Sequence, residues 1–106
     1  MADLRLSRYL YQLNFENTSI TDQSINNFED LSNLMRINLS GTLLDGSCLA
    51  LLSRSTKLSE VIIEETCITE ECYLQWFKSI EGCVSIHTDN GMYLVSKGSI
   101  IRHTTK

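Results

Sequence analysis

The feature that most constrains this chain is a repeat with a period of 24 residues. Leu10-Tyr-Gln-Leu13-Asn-Phe15-Glu-Asn-Thr18-Ser-Ile20 is matched by Leu34-Met-Arg-Ile37-Asn-Leu39-Ser-Gly-Thr42-Leu-Leu44, and again by Leu58-Ser-Glu-Val61-Ile-Ile63-Glu-Glu-Thr66-Cys-Ile68. A fourth copy, Cys83-Val-Ser-Ile86-His-Thr88-Asp-Asn, starts one residue late. The shared form is LxxLxLxxTxI/L. Coincidence at this many positions over three periods points to stacked copies of one supersecondary unit, each burying its apolar edge against the next. The second half of each copy matches too. Ile25 and Phe28 align with Leu49 and Leu52, and these with Tyr73 and Trp76. Apolar residues three apart belong to a helix lying on a strand layer. Thr21 or Asp22, Asp45 and Thr69 stand where helix N-caps belong, and Glu70 and Glu71 suit the positive end of a helix dipole. Each unit therefore reads as a short strand, a tight turn and a helix of about two to three turns.

Carried by Leu34–Asp45 (LMRINLSGTLLD) and Ile20-Thr21-Asp22, the pattern resembles the leucine-rich repeat family, in its helix-backed form found in F-box-type and ribonuclease-inhibitor-like proteins. The resemblance covers roughly residues 10–90 and implies an α/β solenoid with a parallel, concave sheet. It departs from the family in placing Thr18, Thr42 and Thr66 where asparagine or cysteine is usual. A threonine hydroxyl both donates and accepts, so a threonine ladder can satisfy turn backbone groups. The expected organisation is an N-terminal cap (1–9), three repeats (10–33, 34–57, 58–82), and a closing segment (83–106) of partial repeat, β-hairpin cap and basic tail. Caps are needed because an end repeat otherwise exposes its apolar face. Asp89-Asn90-Gly91 marks the hairpin turn, leading into Met92–Ser96. Gly98 permits a further turn before Ile100 and Ile101, which either pack on the cap or anchor a partner.

Charge is distributed unevenly. The net charge is −4, yet Tyr9–Ser96 holds four bases against twelve acids, while Arg5, Arg8, Lys97, Arg102 and Lys106 load the two ends. That is not the basic face of a typical nucleic-acid-binding domain. The ends are still candidates for contact with RNA phosphate or an acidic partner. Of the four cysteines, Cys48, Cys72 and Cys83 fall at apolar repeat positions and read as small buried hydrophobes, which favours reduced thiols in an intracellular, most simply cytoplasmic, compartment. No stretch approaches the ~18 apolar residues of a membrane span, and MADLRLSRYL lacks a secretory core.

No constellation in the chain suggests catalysis, a cofactor or a metal. Gly41–Gly46 lacks the lysine of a phosphate loop, and His87 and His103 have no partners at ligand spacing. The informative surface is the strand face. Strand side chains alternate, so residues between the repeat's apolar positions line up in rows. Gln12, Arg36, Glu60 and Ser85 form one row; Asn14, Asn38, Ile62 and His87 the next; Glu16, Ser40, Glu64 and Asp89 a third toward the rim. Ile62 is an aliphatic residue on a face otherwise meant for water. With Glu16, Glu60, Glu64, Glu65 and Asp89 around it, the face is expected to take a partner with a basic segment. The leading expectation is a non-catalytic protein–protein interaction module, an accessory subunit or adaptor docked in a larger assembly. The alternatives are a ribosome- or ribonucleoprotein-associated subunit with its basic ends on RNA, and an enzyme inhibitor or regulator suggested by the fold resemblance alone.

Overall fold

The computed structural model describes residues 12–26, 34–46, 49–52, 55 and 57–105. Residues of the expected N-terminal cap, Arg5 and Arg8 among them, lie outside this set, as do Phe28, Cys48 and Lys106. The elements run β1 (Gln12–Asn14), α1 (Asp22–Asn26), β2 (Arg36–Asn38), α2 (Leu49–Leu52), β3 (Glu60–Ile62), α3 (Glu70–Phe77), β4 (Cys83–Thr88), β5 (Gly91–Ser96) and β6 (Ser99–Thr104). Together the strands make one open six-stranded sheet in the order β1-β2-β3-β4-β5-β6.

The repeat period sets the strand register. Gln12 pairs with Arg36, Arg36 with Glu60 and Glu60 with Ser85, all parallel. One position on, Leu13, Ile37, Val61 and Ile86 align, and then Asn14, Asn38, Ile62 and His87. The inward residues stack into the core: Ile37, Val61 and Ile86 in one layer, Leu39 and Ile63 in the next, then Leu44 and Ile68. Helix residues Leu49 and Leu52, followed a period later by Tyr73 and Trp76, close the core from the other side. A fully buried side chain of this size contributes about 1.5–3 kcal/mol, so the repeated positions dominate the fold's stability.

The turn after each strand is built the same way three times. The residue before each threonine has a left-handed backbone: Asn17 (φ 59), Gly41 (φ 69) and Glu65 (φ 57). The following hydroxyl then donates to the carbonyl three residues back, Thr18 to Phe15 at 2.7 Å, Thr42 to Leu39 at 2.6 Å and Thr66 to Ile63 at 3.0 Å. The expected threonine bonds thus lie within each turn, not between turns. At 41 glycine takes the left-handed conformation without a Cβ, which would otherwise stand against Asn17 Oδ1. Thr69 caps α3, its hydroxyl accepting from the Cys72 N–H at 3.2 Å.

Three expectations need correction. The sheet is parallel only from β1 to β4. The β4–β5 and β5–β6 pairs are antiparallel and involve strands of six residues, against three in each of β1–β3. The hairpin at Asp89-Asn90 forms as expected, but the chain turns again at Lys97-Gly98. Described residues 99–104 of the expected basic tail are strand β6, and Ile100 and Ile101 do not pack on the cap: they are 47% and 62% exposed. Cys83 is exposed and Cys72 only half-buried. Alternation along β4 sends Val84, Ile86 and Thr88 inward and leaves Cys83, Ser85 and His87 outward.

Where the repeats stop, aromatic side chains thicken the core. Phe77 lies 5.2 Å from Tyr93 and 5.5 Å from Tyr73, ring centre to ring centre. Tyr93 in turn carries the His103 ring stacked on it at 3.9 Å and 8°. Burial, then the hydrogen bond and charge of Tyr73 with Glu70 nearby, push the Tyr93 hydroxyl up to about 12.

Candidate functional site, the outer sheet face

The face of the sheet turned away from the core carries the residues that the repeat aligns. At its centre, Glu60 is held by two side chains from neighbouring strands. Arg36 Nε donates to Glu60 Oε1 at 2.6 Å, and His87 Nε2 donates to Oε2 at 3.1 Å. A carboxylate only accepts, so Nε2 of His87 carries a proton. Burial raises the carboxyl pKa of Glu60, but the bonds from Arg36 and His87 and their charges outweigh it, and the net shift is downward. Glu60 is therefore an anchored anion in a three-residue bridge across β2, β3 and β4.

Beside this bridge lies a shallow depression of about 270 Å³ lined by Gln12, Leu13, Asn14, Arg36, Ile37, Asn38, Glu60 and Ile62. Six of the residues singled out from sequence (Gln12, Asn14, Arg36, Asn38, Glu60 and Ile62) thus meet at one place. Asn14 and Asn38 have a local task as well. Each Oδ1 accepts from the backbone N–H two residues on, Glu16 at 2.9 Å and Ser40 at 3.0 Å, which fixes the strand exit.

The acidic positions lie at the turns that follow the strands. Glu16 accepts from Asn38 Nδ2 at 3.5 Å. Asp89 Oδ1 accepts from the Glu65 N–H at 2.9 Å, and Glu64 has interactions of its own. Glu16, Glu64, Glu65 and Asp89 thus lie along a row of turns, whereas Glu60 on the strand face is paired with Arg36.

Two residues missed in the sequence extend the face. Register places Leu94 beside Ser85 and Met92 beside His87, so both stand on the outer face, half-buried. Met92 and Leu94 on β5 and Ile62 on β3 thus stand on either side of the polar Ser85 and His87 of β4. The signal was present: Tyr93 and Val95 face the core, and strict alternation sends their neighbours out. The first row then continues through Leu94 to Arg102 on β6. Lys97 lines a separate open groove of about 620 Å³ with Lys78, Ser79, Ile80 and Glu81, so the structure does not bring it to the sheet face.

Burial, followed by the charges of Asp45, Asp22 and Glu71, raises the Cys72 thiol pKa, the opposite of what an activated nucleophile needs. Among the described residues no group of three His, Cys, Asp or Glu side chains is placed to hold a metal ion, and no helix is long and apolar enough to cross a membrane. No family model, curated protein or solved structure matches the chain.

Proposed function

We propose that this chain is a small leucine-rich-repeat solenoid acting as a non-catalytic protein-interaction module, docked as an accessory subunit or adaptor through the outer, concave face of its sheet. The observation that carries the reading is the depression at Arg36–Glu60 with the half-buried Ile62 in its lining, and with Met92 and Leu94 beyond β4 on the same face. An apolar centre rimmed by oriented charges is the usual anatomy of a protein contact. Glu16, Glu64, Glu65 and Asp89 at the adjoining turns favour a basic segment in the partner, by charge complementarity. Cys67, Cys72 and Cys83 are free thiols, which fits a reducing intracellular compartment such as the cytoplasm.

The test is capture of partners from the source cells by the wild-type chain and by the Ile62→Asp/Arg36→Glu variant, with matched stability and parallel ribonuclease treatment. The variant puts a charge in place of the half-buried Ile62 and a like charge against Glu60. Loss of a ribonuclease-insensitive protein partner is expected. Equal capture by the two chains would remove the outer face from consideration. Loss of all capture on ribonuclease treatment would favour the ribonucleoprotein reading instead.

A further inference from the structure

Strand β6 closes the sheet on one side, and all six of its residues are exposed. An edge strand leaves a row of backbone N–H and C=O groups unpaired, which is a template for another strand. Proteins commonly blunt such edges with short strands, prolines, charged side chains or β-bulges, and of these β6 has one charge, Arg102, and one irregularity, opposite Leu94 and Val95. Here the edge is six residues long, contains no proline and carries two adjacent isoleucines.

The local register adds detail. Leu94 pairs with Arg102 and Val95 with Ile100, so Ile101 is an extra residue with no partner on β5. It is also the most exposed large apolar side chain described, at 62%. Arg102 shares the outer face with Leu94, while Ile100 shares the core-side face with Val95. The edge therefore presents Arg102 on the outer face and Ile100 with His103 on the core-side face. Arg102 makes no ion pair among the described residues, and no Asp or Glu occurs anywhere from Asn90 to Lys106.

We propose that the β6 edge binds an extended segment of a partner protein as a seventh strand, and that this segment alternates acidic with apolar residues. Main-chain hydrogen bonds supply the docking, and the alternating side chains supply the choice of partner. The acidic positions pair with Arg102 on the outer face, and the apolar positions cover Ile100 and Ile101. A second copy of this chain fits the edge less well. Antiparallel pairing of two β6 strands about their midpoint sets Arg102 of each copy opposite Ile101 of the other, which gives neither arginine the opposite charge that a cross-strand pair rewards. RNA fits less well too, because the single arginine of the strand, Arg102, offers few phosphate contacts and binding to RNA scales with their number.

The site is distinct from the outer-face contact proposed above, and Ile62→Asp separates the two. The experiment uses the full chain and three fluorescein-labelled eight-residue peptides: one alternating glutamate with valine, its lysine–valine counterpart, and a glutamate–valine peptide with alternate amides N-methylated. Binding is read by fluorescence anisotropy, with hydrogen exchange of the β6 amides as the positional readout. The glutamate–valine peptide is expected to bind and to slow exchange at residues 99–104. Arg102→Glu, N-methylation and the lysine replacement are each expected to weaken binding by roughly tenfold or more, whereas Ile62→Asp leaves it unchanged. Because Arg102 and Ile101 are exposed, Arg102→Glu and Ile101→Lys keep the fold, which circular dichroism verifies. Equal binding of the glutamate and lysine peptides, no binding of either, or preference for a ten-nucleotide oligouridylate overturns the proposal. So does a concentration-dependent dimer in sedimentation that Ile101→Lys abolishes, since the edge then belongs to a second copy.

Discussion

Replacing the repeated threonines by valine isolates one hydrogen bond in three environments. Thr and Val are close in shape and both favour extended backbone, so the substitution removes little except the hydroxyl. Thr42 is 3% exposed and its hydroxyl lies 2.6 Å from the Leu39 carbonyl. Thr42→Val leaves that buried carbonyl without this donor, a cost of about 1–3 kcal/mol. A methyl buried in place of the hydroxyl returns about 0.8 kcal/mol. The net expectation is a loss of about 0.2–2 kcal/mol, or roughly 4–8 °C in Tm for each kcal/mol in a domain of this size. Thr66 is half-buried, and its hydroxyl also accepts from the Ile68 N–H at 3.3 Å. Thr66→Val should cost about 1 kcal/mol. Thr18 is exposed, so water replaces its hydroxyl on the Phe15 carbonyl, and Thr18→Val should cost at most ~0.5 kcal/mol. Urea unfolding followed through the fluorescence of the single tryptophan, Trp76, measures all three. A Thr18→Val cost equal to or above that of Thr42→Val would refute the reasoning, because burial would then not be what gives the bond its value.

Two further outcomes follow from the turns and the charge bridge. Glu60 has its carboxyl pKa lowered in the folded chain, so its contribution is present above the unfolded carboxyl value of about 4.3 and drains away as pH falls through the lower folded value. Glu60→Gln should cost about 0.5–1 kcal/mol at neutral pH, a difference that closes in acid, as stability curves across pH will show; a gap that persists at the acid end contradicts the bridge. At the left-handed turn position, Gly41→Ala should destabilise by about 1–2 kcal/mol, because the methyl also meets Asn17 Oδ1. Glu65→Gly relieves a left-handed non-glycine residue (φ 57) and should be neutral or stabilising by up to ~1 kcal/mol. Chemical denaturation of the pair must give opposite or clearly unequal signs, since equal losses would mean that backbone conformation does not govern this turn.

What the sequence makes legible is whatever the period controls. A constant spacing between parallel strands forces a constant register, so the rows through Arg36 and Glu60, and through Asn38 and Ile62, follow from alignment alone. Legibility fails where the period fails. Cys83 aligns with Leu58 by position, yet β4 is already extended there and alternation, not the repeat, decides that Val84 goes inward. Strand β6 has no readable alternation, because the irregularity between Leu94 and Val95 absorbs Ile101 and both faces of the strand are exposed. The end of the array shows the same competition. In the inner turns the N–H of Asn17 bonds to the Ser40 carbonyl and that of Gly41 to the Glu64 carbonyl, each from the next repeat. At Glu65 the next repeat is leaving to form the hairpin, and the Asp89 carboxylate supplies the acceptor instead. A repeat array must satisfy at its last turn every donor that one more copy would have taken, or leave it unpaired. One oxygen of Asp89 is committed to that end, which makes this acid a terminator of the array as well as a member of its acidic rim.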